Sequence, residues 1–259
     1  MPDHDLILSL GTLGLLWLAA LGAGFVDAIA GGGGLITLPA LLAAGLPPHL
    51  ALGTNKLQSS FGSLSAALHY RQGGLVRFRE LWLGVLFTFV GAVSGTLAVQ
   101  ALSRDLLRWV IPVLLAGVLV WTFMSPRLGE ETQSPRLDAR VWLPLAGLGL
   151  GFYDGFFGPG TGTFWTLFLV ACLGQELKAA TARTKVVNFT SNVTSLGAFA
   201  LGGHVMLVPG LVMGSGQFLG ARLGSRLVLR RHVGLVRVVF RLVVAATLAK
   251  LVWDVARLG

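Results

Sequence analysis

The sequence contains the same polar signal twice, and this internal repeat constrains the fold more than any other feature. The segment GFVDAIAG at 24–31 returns as GFYDGFFG at 151–158, and each copy places one aspartate in an apolar run before a glycine-rich break. A second pair of matching segments follows, with TNKLQS at 54–59 and RTKVVN at 183–188. A duplicated membrane unit with interrupted helices and an ionisable residue in each half is typical of secondary transporters.

Composition places the chain in the membrane. Apolar residues make up 54% of the 259 residues and charged residues only 12%, whereas a soluble domain carries roughly 25% charged residues. Apolar stretches of ~20 residues, long enough to cross a ~30 Å hydrocarbon core as helices, recur along the chain. The sequence therefore predicts an all-α polytopic protein in a lipid bilayer. The net charge of +9 indicates basic cytoplasmic loops rather than a nucleic-acid partner.

The sequence lacks the residues that several classes of chemistry require. The chain has one cysteine, which excludes an intrachain disulfide and a multi-cysteine metal site. It also lacks a Ser–His–Asp, HExxH or CxxC arrangement. We expect no enzymatic activity, no cofactor and no metal. The acidic residues 1–5 lack the positive region of a signal peptide, so the first apolar run is predicted to be a retained helix.

The chain divides into a first repeat at 1–124, a cytoplasmic linker at 125–140 and a second repeat at 141–259. Each repeat is predicted to have five apolar elements, at 6–30, 31–45, 50–70, 81–102 and 106–124, and at 141–157, 158–173, 179–201, 206–229 and 233–255. The second element of each repeat is too short for a comfortable crossing and fits a broken or re-entrant helix. The sequence leaves open whether these two elements span or re-enter.

The basic residues favour inverted repeats. Five elements per repeat is an odd number, so the two repeats would run in opposite directions. With the N-terminus outside, the inner loops collect most of the arginines, whereas a parallel arrangement of four plus four spans divides the basic residues almost evenly. The positive-inside rule therefore favours both termini outside. Small residues spaced four apart, at Gly91 and Gly95 and at Gly216, Gly220 and Gly224, predict close helix packing.

Asp27 and Asp154 are candidate functional residues because a carboxylate in a membrane helix is costly and normally faces protein or water. One interpretation is a proton-coupling site. The other is support of the helix break through hydrogen bonds from freed backbone amides, and the two are compatible.

The glycine-rich breaks suggest an anion site. Glycine permits positive φ and exposes backbone amides, and successive amides at a helix start form an anion-binding concavity. The sequence GPGTGT at 158–163 lacks the Gly-Lys-Ser/Thr ending of a phosphate loop, so a nucleotide site is rejected. A purely structural kink is the alternative. The glycines predicted to contact the anion are Gly32, Gly33, Gly34, Gly160 and Gly162.

The third and eighth elements carry too many polar residues to face lipid. Asn55 and Ser59 fall on one stripe with Lys56 beside it, and Lys185 and Asn188 share a face. An ammonium among amides and hydroxyls suits a small oxyanion. The alternative is that both lysines snorkel to opposite interfaces or pair with the aspartates.

These motifs resemble a known family. Residues 24–39, followed by ALGTNK at 51–56, are similar to the TauE/SafE family of membrane proteins, and 158–162 with ARTKVVN at 182–188 looks like its second repeat. The resemblance implies a bacterial cytoplasmic-membrane transporter linked to export of sulfite, sulfonates or related anions. Thr161 and Thr163 depart from the glycine-rich and aliphatic second break expected of the family.

The sequence thus predicts a secondary transporter for a small anion, such as sulfite or an organosulfonate. Export is favoured, proton coupling is a further expectation, and alternating access would come from the repeats rocking about a midplane site. A passive anion channel and a membrane assembly partner without transport activity remain as alternatives. A homo-oligomer is compatible with this sequence.

Overall fold

The computed structural model describes residues 8–76, 78–124 and 137–230. Every regular element in those ranges is helical, which confirms the predicted all-α class. The elements are α1 (Leu10–Ala30), α2 (Gly34–Ala43), α3 (Pro48–Gln72), one 3₁₀ turn (Phe78–Glu80), α4 (Trp82–Gln100), α5 (Arg104–Met124), α6 (Ala139–Phe156), α7 (Thr161–Ala171), α8 (Leu177–Leu201) and α9 (Leu207–Arg230).

Two parts of the predicted organisation fall outside these ranges. The tenth element at 233–255 and most of the linker are among the residues not described. The final two linker residues, 139 and 140, belong to α6.

Glycines break the first helix of each repeat. Helix α1 ends at Ala30 because Gly31 and Gly32 adopt φ values of 77° and 105°, which side-chain-bearing residues rarely take. Gly158 and Gly160 do the same after α6, at 101° and 88°. The helices that follow have 10 and 11 residues, which is about 15–17 Å at 1.5 Å per residue. Neither helix is long enough to cross a ~30 Å core.

Both short helices turn back instead of crossing. The Leu137 amide, just before α6, donates to the carbonyl of Cys172, just after α7, at 3.1 Å. In the first repeat, the chain has turned back against α1 by Gly33. A Cβ added to Gly33 would lie 2.9 Å from the carbonyl oxygen of Ala23 in α1. The question that the sequence left open is therefore answered in favour of re-entry for α2 and α7.

Helices α3 and α8, which correspond in the two repeats, are antiparallel. Near the start of α3, the Thr54 hydroxyl accepts a hydrogen bond at 3.0 Å from the Met206 amide, just beyond α8. At the other end, Tyr70 of α3 packs in one cluster with Ala182 and Val186 of α8. An inverted repeat requires this relation between equivalent helices. Inversion of the complete repeats stays a prediction, since 233–255 lies outside the described residues.

The small-residue motifs bring helices of different repeats into backbone contact. A Cβ on Gly95 of α4 would lie less than 3.0 Å from the backbone of Phe152 in α6, and one on Gly220 of α9 would crowd Leu21 in α1 equally. Gly91, Gly216 and Gly224 show the same crowding. The predicted close packing is confirmed. The fourth helical element of each repeat, α4 or α9, packs against the first helix of the other repeat, α6 or α1.

Apolar and polar helices have different positions in the protein. Among the described helices, α1 and α4 are long and apolar enough to cross a membrane by length and composition. Helices α3 and α8 have 25 residues each, but most of their polar side chains are buried within the protein. The outer surface carries large apolar side chains such as Trp109, 78% exposed, and Leu15, 69% exposed. A surface of this kind suits contact with lipid.

Candidate functional site

The two helix breaks meet in the interior of the protein. A Cβ on Gly31 would lie 2.8 Å from the Cα of Gly162, and one on Gly34 would lie 3.2 Å from the Cα of Pro159. The Thr163 hydroxyl donates to the carbonyl oxygen of Ala30 at 3.2 Å and so satisfies one of the last carbonyls of α1. The departure from the family pattern at Thr163 therefore ties one break to the other.

A small cavity lies where the breaks meet. Its volume is about 30 Å³. A single water needs roughly 10–15 Å³, so the cavity has room for about two. Its lining consists of glycines and polar side chains, without an aliphatic or aromatic side chain. The lining residues are Asp27, Gly32, Gly34, Asn55, Lys56, Ser59, Asp154, Gly158, Gly160, Thr161, Gly162, Asn188 and Asn192.

Ten of the twelve predicted site residues are in this lining, and the other two lie directly behind it. Gly33 is one of them, and its amide donates to Asp27 Oδ1 at 3.2 Å. Lys185 is the other, and its Nζ donates to Asp27 Oδ2 at 3.0 Å. The Gly33 amide is thus bound to an internal carboxylate and is not free to hold an anion, contrary to the expectation for this glycine.

Each lysine pairs with the aspartate of the other repeat. Lys56 Nζ lies 2.7 Å from Asp154 Oδ1, and the exposed fractions of these side chains are 2% and 5%. Lys185 Nζ lies 3.0 Å from Asp27 Oδ2, with exposed fractions of 0% and 15%. Of the alternatives that the sequence left open, the structure shows pairing with the aspartates, and neither lysine snorkels to an interface.

The two carboxylates are held differently. Asp154 Oδ2 accepts a hydrogen bond from the Ser191 hydroxyl, and Lys56 also donates to the backbone carbonyl of Asp154. Asp27 instead accepts the backbone amide of Gly33, which is the helix-break support predicted for the aspartates. That support is seen at the first break, while a hydroxyl takes its place at the second.

Backbone donors remain available in the cavity. Helices α2 and α7 begin at the lining, and within the described ranges the amides of Gly34 and Gly162 have no acceptor in the protein. Each helix start carries roughly +0.5 elementary charge. The two lysines and two aspartates cancel formally, so the free amides at the starts of α2 and α7 are the donors left for a ligand. Free amide donors at a helix start favour an anion.

A hydrogen-bond network orients Asn55. Its Oδ1 accepts from the Thr37 hydroxyl at 2.6 Å and from Gln58 Nε2 at 2.8 Å, which leaves Nδ2 as the group that faces the cavity. Gln58 Nε2 also reaches the Ser59 hydroxyl at 2.9 Å. Sequence reasoning missed Thr37 as a supporting residue, because a single threonine in an apolar run gives no signal.

The second repeat contributes amides from α8. Asn188 Nδ2 is 2.9 Å from the position of a Cβ on Gly162, and its buried Oδ1 has no hydrogen-bond partner within the described part of the chain. Asn192, one helical turn further, also lines the cavity. Its spacing of four from Asn188 was the signal that could have added it to the predicted site.

A polar cavity between the starts of two re-entrant helices, inside an all-helical protein with an apolar outer surface, defines a membrane transporter. The family model described as Sulfite exporter TauE/SafE matches residues 16–251. The chain belongs to the TauE/SafE family, and it is a membrane transporter rather than an enzyme.

Individual relatives agree with this assignment. The chain is 46% identical over 242 residues to "Probable membrane transporter protein YfcA" of Escherichia coli (strain K12), covering 93% of this chain and 90% of that protein. It is 42% identical to "Probable membrane transporter protein" of Haemophilus influenzae, covering 93% and 95%. It is 43% identical to "Probable membrane transporter protein ORF9" of Sinorhizobium sp, covering 93% of each. No solved structure matches the chain.

Proposed function

We propose that this protein is a multi-pass secondary transporter that carries a small sulfur oxyanion such as sulfite across the bacterial cytoplasmic membrane, with export favoured. The observation that carries the anion specificity is the cavity at which two helix starts meet between buried lysines. The description of the family as a sulfite exporter supports the substrate and the direction.

The donors of the cavity match an oxyanion. The amides of Gly34 and Gly162 and the Nδ2 group of Asn55 can each donate to one oxygen, in place of the water that the anion loses. A buried lysine adds charge when it turns from its aspartate to the substrate. The described lining contains no aliphatic or aromatic side chain to hold a hydrocarbon tail, which favours inorganic sulfite over an organosulfonate.

Alternating access and proton coupling are parts of the same proposal. With room for about two waters, the cavity is too narrow in this state for an anion to pass through. Helix units must therefore move to open it to either side. A carboxylate released from its lysine in this interior is stabilised by a proton, which links anion transport to protonation.

Flux through purified protein tests the proposal. Proteoliposomes loaded with sulfite should release it in a saturable manner, and an imposed proton gradient should drive accumulation. Sulfate, thiosulfate and taurine serve as competitors. A passive channel would dissipate a sulfite gradient without accumulating the anion when a proton gradient is imposed.

Lysine variants connect the flux to the cavity. Lys185→Met should reduce sulfite flux at least about tenfold, because one charged donor is worth 1.4 kcal/mol or more. Lys178→Met is the matched control, since this lysine lies on the same helix outside the cavity lining. If Lys185→Met does not fold, Asn55→Asp places a negative charge at the same cavity with little change of shape. Absence of wild-type flux, or full flux in these variants, contradicts the proposal.

A further inference from the structure

We infer that the two ion pairs, which are equivalent in sequence, have different roles: Asp27 exchanges with the transported anion and takes up a proton when displaced, while Asp154 stays fixed to Lys56. This inference rests on the proposed function. It assigns the coupling of transport to one of two aspartates that the sequence cannot distinguish.

Asp154 is held on both carboxylate oxygens. Lys56 Nζ binds Oδ1 at 2.7 Å, and the Ser191 hydroxyl binds Oδ2. Lys56 also donates to the backbone carbonyl of Asp154, so that its ammonium is bound twice by one residue. Release of this carboxylate, which is 5% exposed, would break two hydrogen bonds, and the backbone bond would keep Lys56 beside it.

Asp27 is held more weakly and is more open to the cavity. Its bonds are a 3.2 Å backbone amide and a 3.0 Å ammonium, and its side chain is 15% exposed. Within the described ranges, the Lys185 ammonium donates to Asp27 alone. Exchange at this pair therefore breaks one charged hydrogen bond at the lysine.

The donors around Lys185 lie close together at the wall of the cavity. Lys185 Nζ lies 3.5 Å, and Asn188 Nδ2 2.9 Å, from the position of a Cβ on Gly162. The free amide of Gly162 lies at the same helix start. Asp27 itself uses an ammonium and a helix-start amide as donors, which are the two donor types that an oxyanion requires. Asp27 thus acts as an internal competitor of the substrate.

Within the described ranges, no unpaired cation faces a displaced Asp27 carboxylate. Lys56 of α3 and Asp154 of α6 face it across the cavity and neutralise each other. Tyr70 of α3 is buried, with its hydroxyl donating to the Ala28 carbonyl at 2.7 Å. Helices α2 and α7 carry no titratable side chain, and the arginines of α9 are exposed.

An unpaired buried carboxylate is costly, so anion binding at Lys185 brings one proton to Asp27. A monoanion would then move together with one proton and without net charge. Direction would follow the combined gradients of anion and proton, and the membrane potential would not contribute. Export then requires an outward anion gradient larger than the inward proton gradient.

Sulfite binding at different pH values tests this linkage. Because one proton is bound with each anion, the ratio of the wild-type Kd for sulfite to the Asp27→Asn Kd should rise about tenfold for each unit of increasing pH. Protonation of sulfite itself contributes equally to both proteins and cancels in the comparison. Asp154→Asn is the matched control and should keep the wild-type slope. A wild-type slope in Asp27→Asn, or its loss in Asp154→Asn, overturns the inference.

Flux and proton uptake give independent readouts. Wild-type sulfite flux should respond to a proton gradient, whereas Asp27→Asn should retain flux that responds only to the membrane potential set with valinomycin. If Asp27→Asn does not fold, a pH indicator can follow sulfite addition to the wild-type protein, where about one proton per bound anion is expected. No uptake beyond the buffer control refutes the role of Asp27. Absence of any sulfite binding by wild-type protein contradicts the proposed function instead.

Discussion

Removal of one member of the Lys56–Asp154 pair should cost more stability than removal of both. The side chains are 2% and 5% exposed and lie 2.7 Å apart. Lys56→Met leaves the Asp154 carboxylate buried without its cation, and loss of one partner of a buried pair costs about 3–5 kcal/mol. Asp154→Asn leaves the Lys56 ammonium with its bond to the backbone carbonyl, so its cost should lie at the lower end.

The double variant Lys56→Met/Asp154→Asn removes both charges while keeping nearly the same volume. The Ser191 hydroxyl retains a partner at position 154, and no isolated charge stays in the interior. Replacement of buried pairs by neutral groups is often close to neutral in stability. Each single variant should cost about 3–5 kcal/mol and the double variant close to nothing, so the summed single costs should exceed the double-variant cost by about 6 kcal/mol or more.

This double-mutant cycle is measured through the free energy of unfolding. Denaturant titration in the same detergent or lipid for all variants supplies it. Lys178→Met controls for loss of a lysine from the protein and should stay within ~0.5 kcal/mol of the wild type. Single variants that each cost below ~1 kcal/mol, or that add to the double variant within ~0.5 kcal/mol, would refute the argument.

Three further predictions concern packing, hydrogen bonding and pH. Gly220→Ala should lower the free energy of unfolding by about 1–3 kcal/mol, because the added Cβ forces α9 from α1. At Gly22 an added Cβ meets nothing within 4 Å, so Gly22→Ala should raise the free energy of unfolding by about 0.5–1 kcal/mol. Thermal unfolding of both variants checks this. Tyr70→Phe removes a 2.7 Å hydrogen bond to a buried carbonyl of α1 and should lower the free energy of unfolding by about 1–3 kcal/mol. Burial, followed by the neighbouring His49 ring, lowers the pKa of His204 from its ordinary 6.5. The folded protein therefore binds fewer protons at this residue than the unfolded chain. The resulting stability is present above pH 6.5 and lost as the pH falls through the lowered pKa, so His204→Gln should flatten the acid side of a stability profile.

Much of the helix order was predictable because the bilayer imposes lengths and polarity on a chain. The short second elements at 31–45 and 158–173 were predicted to be broken or re-entrant from length and glycine content. Their return was not decidable from sequence, because a short helix can continue or reverse its predecessor. The φ values of Gly31 and Gly158, at 77° and 101°, allow the chain to turn, and contacts with the first helix of each repeat set the direction.

The polar residues of the site were predictable because each is costly in a membrane, but their partners were not. Asp27 is much nearer in sequence to Lys56 than to Lys185, yet it pairs with Lys185. Sequence spacing carries no information on contacts between two repeats. Thr37 and Gln58 were missed as supports of Asn55 because their role depends on a hydrogen-bond network rather than on a motif.

The contacts between the repeats also limit which parts of the protein can move. Helix α9 meets α1, and α4 meets α6, through glycines whose backbones touch, so neither pair can slide without a clash. The Lys185–Asp27 pair instead joins side chains that can change partners. A change of access should therefore keep α1 with α9, and α4 with α6, as rigid units that shift relative to each other around the cavity. The moving units would then each contain helices of both repeats, and only the charged side chains and the glycine breaks between them would have to rearrange.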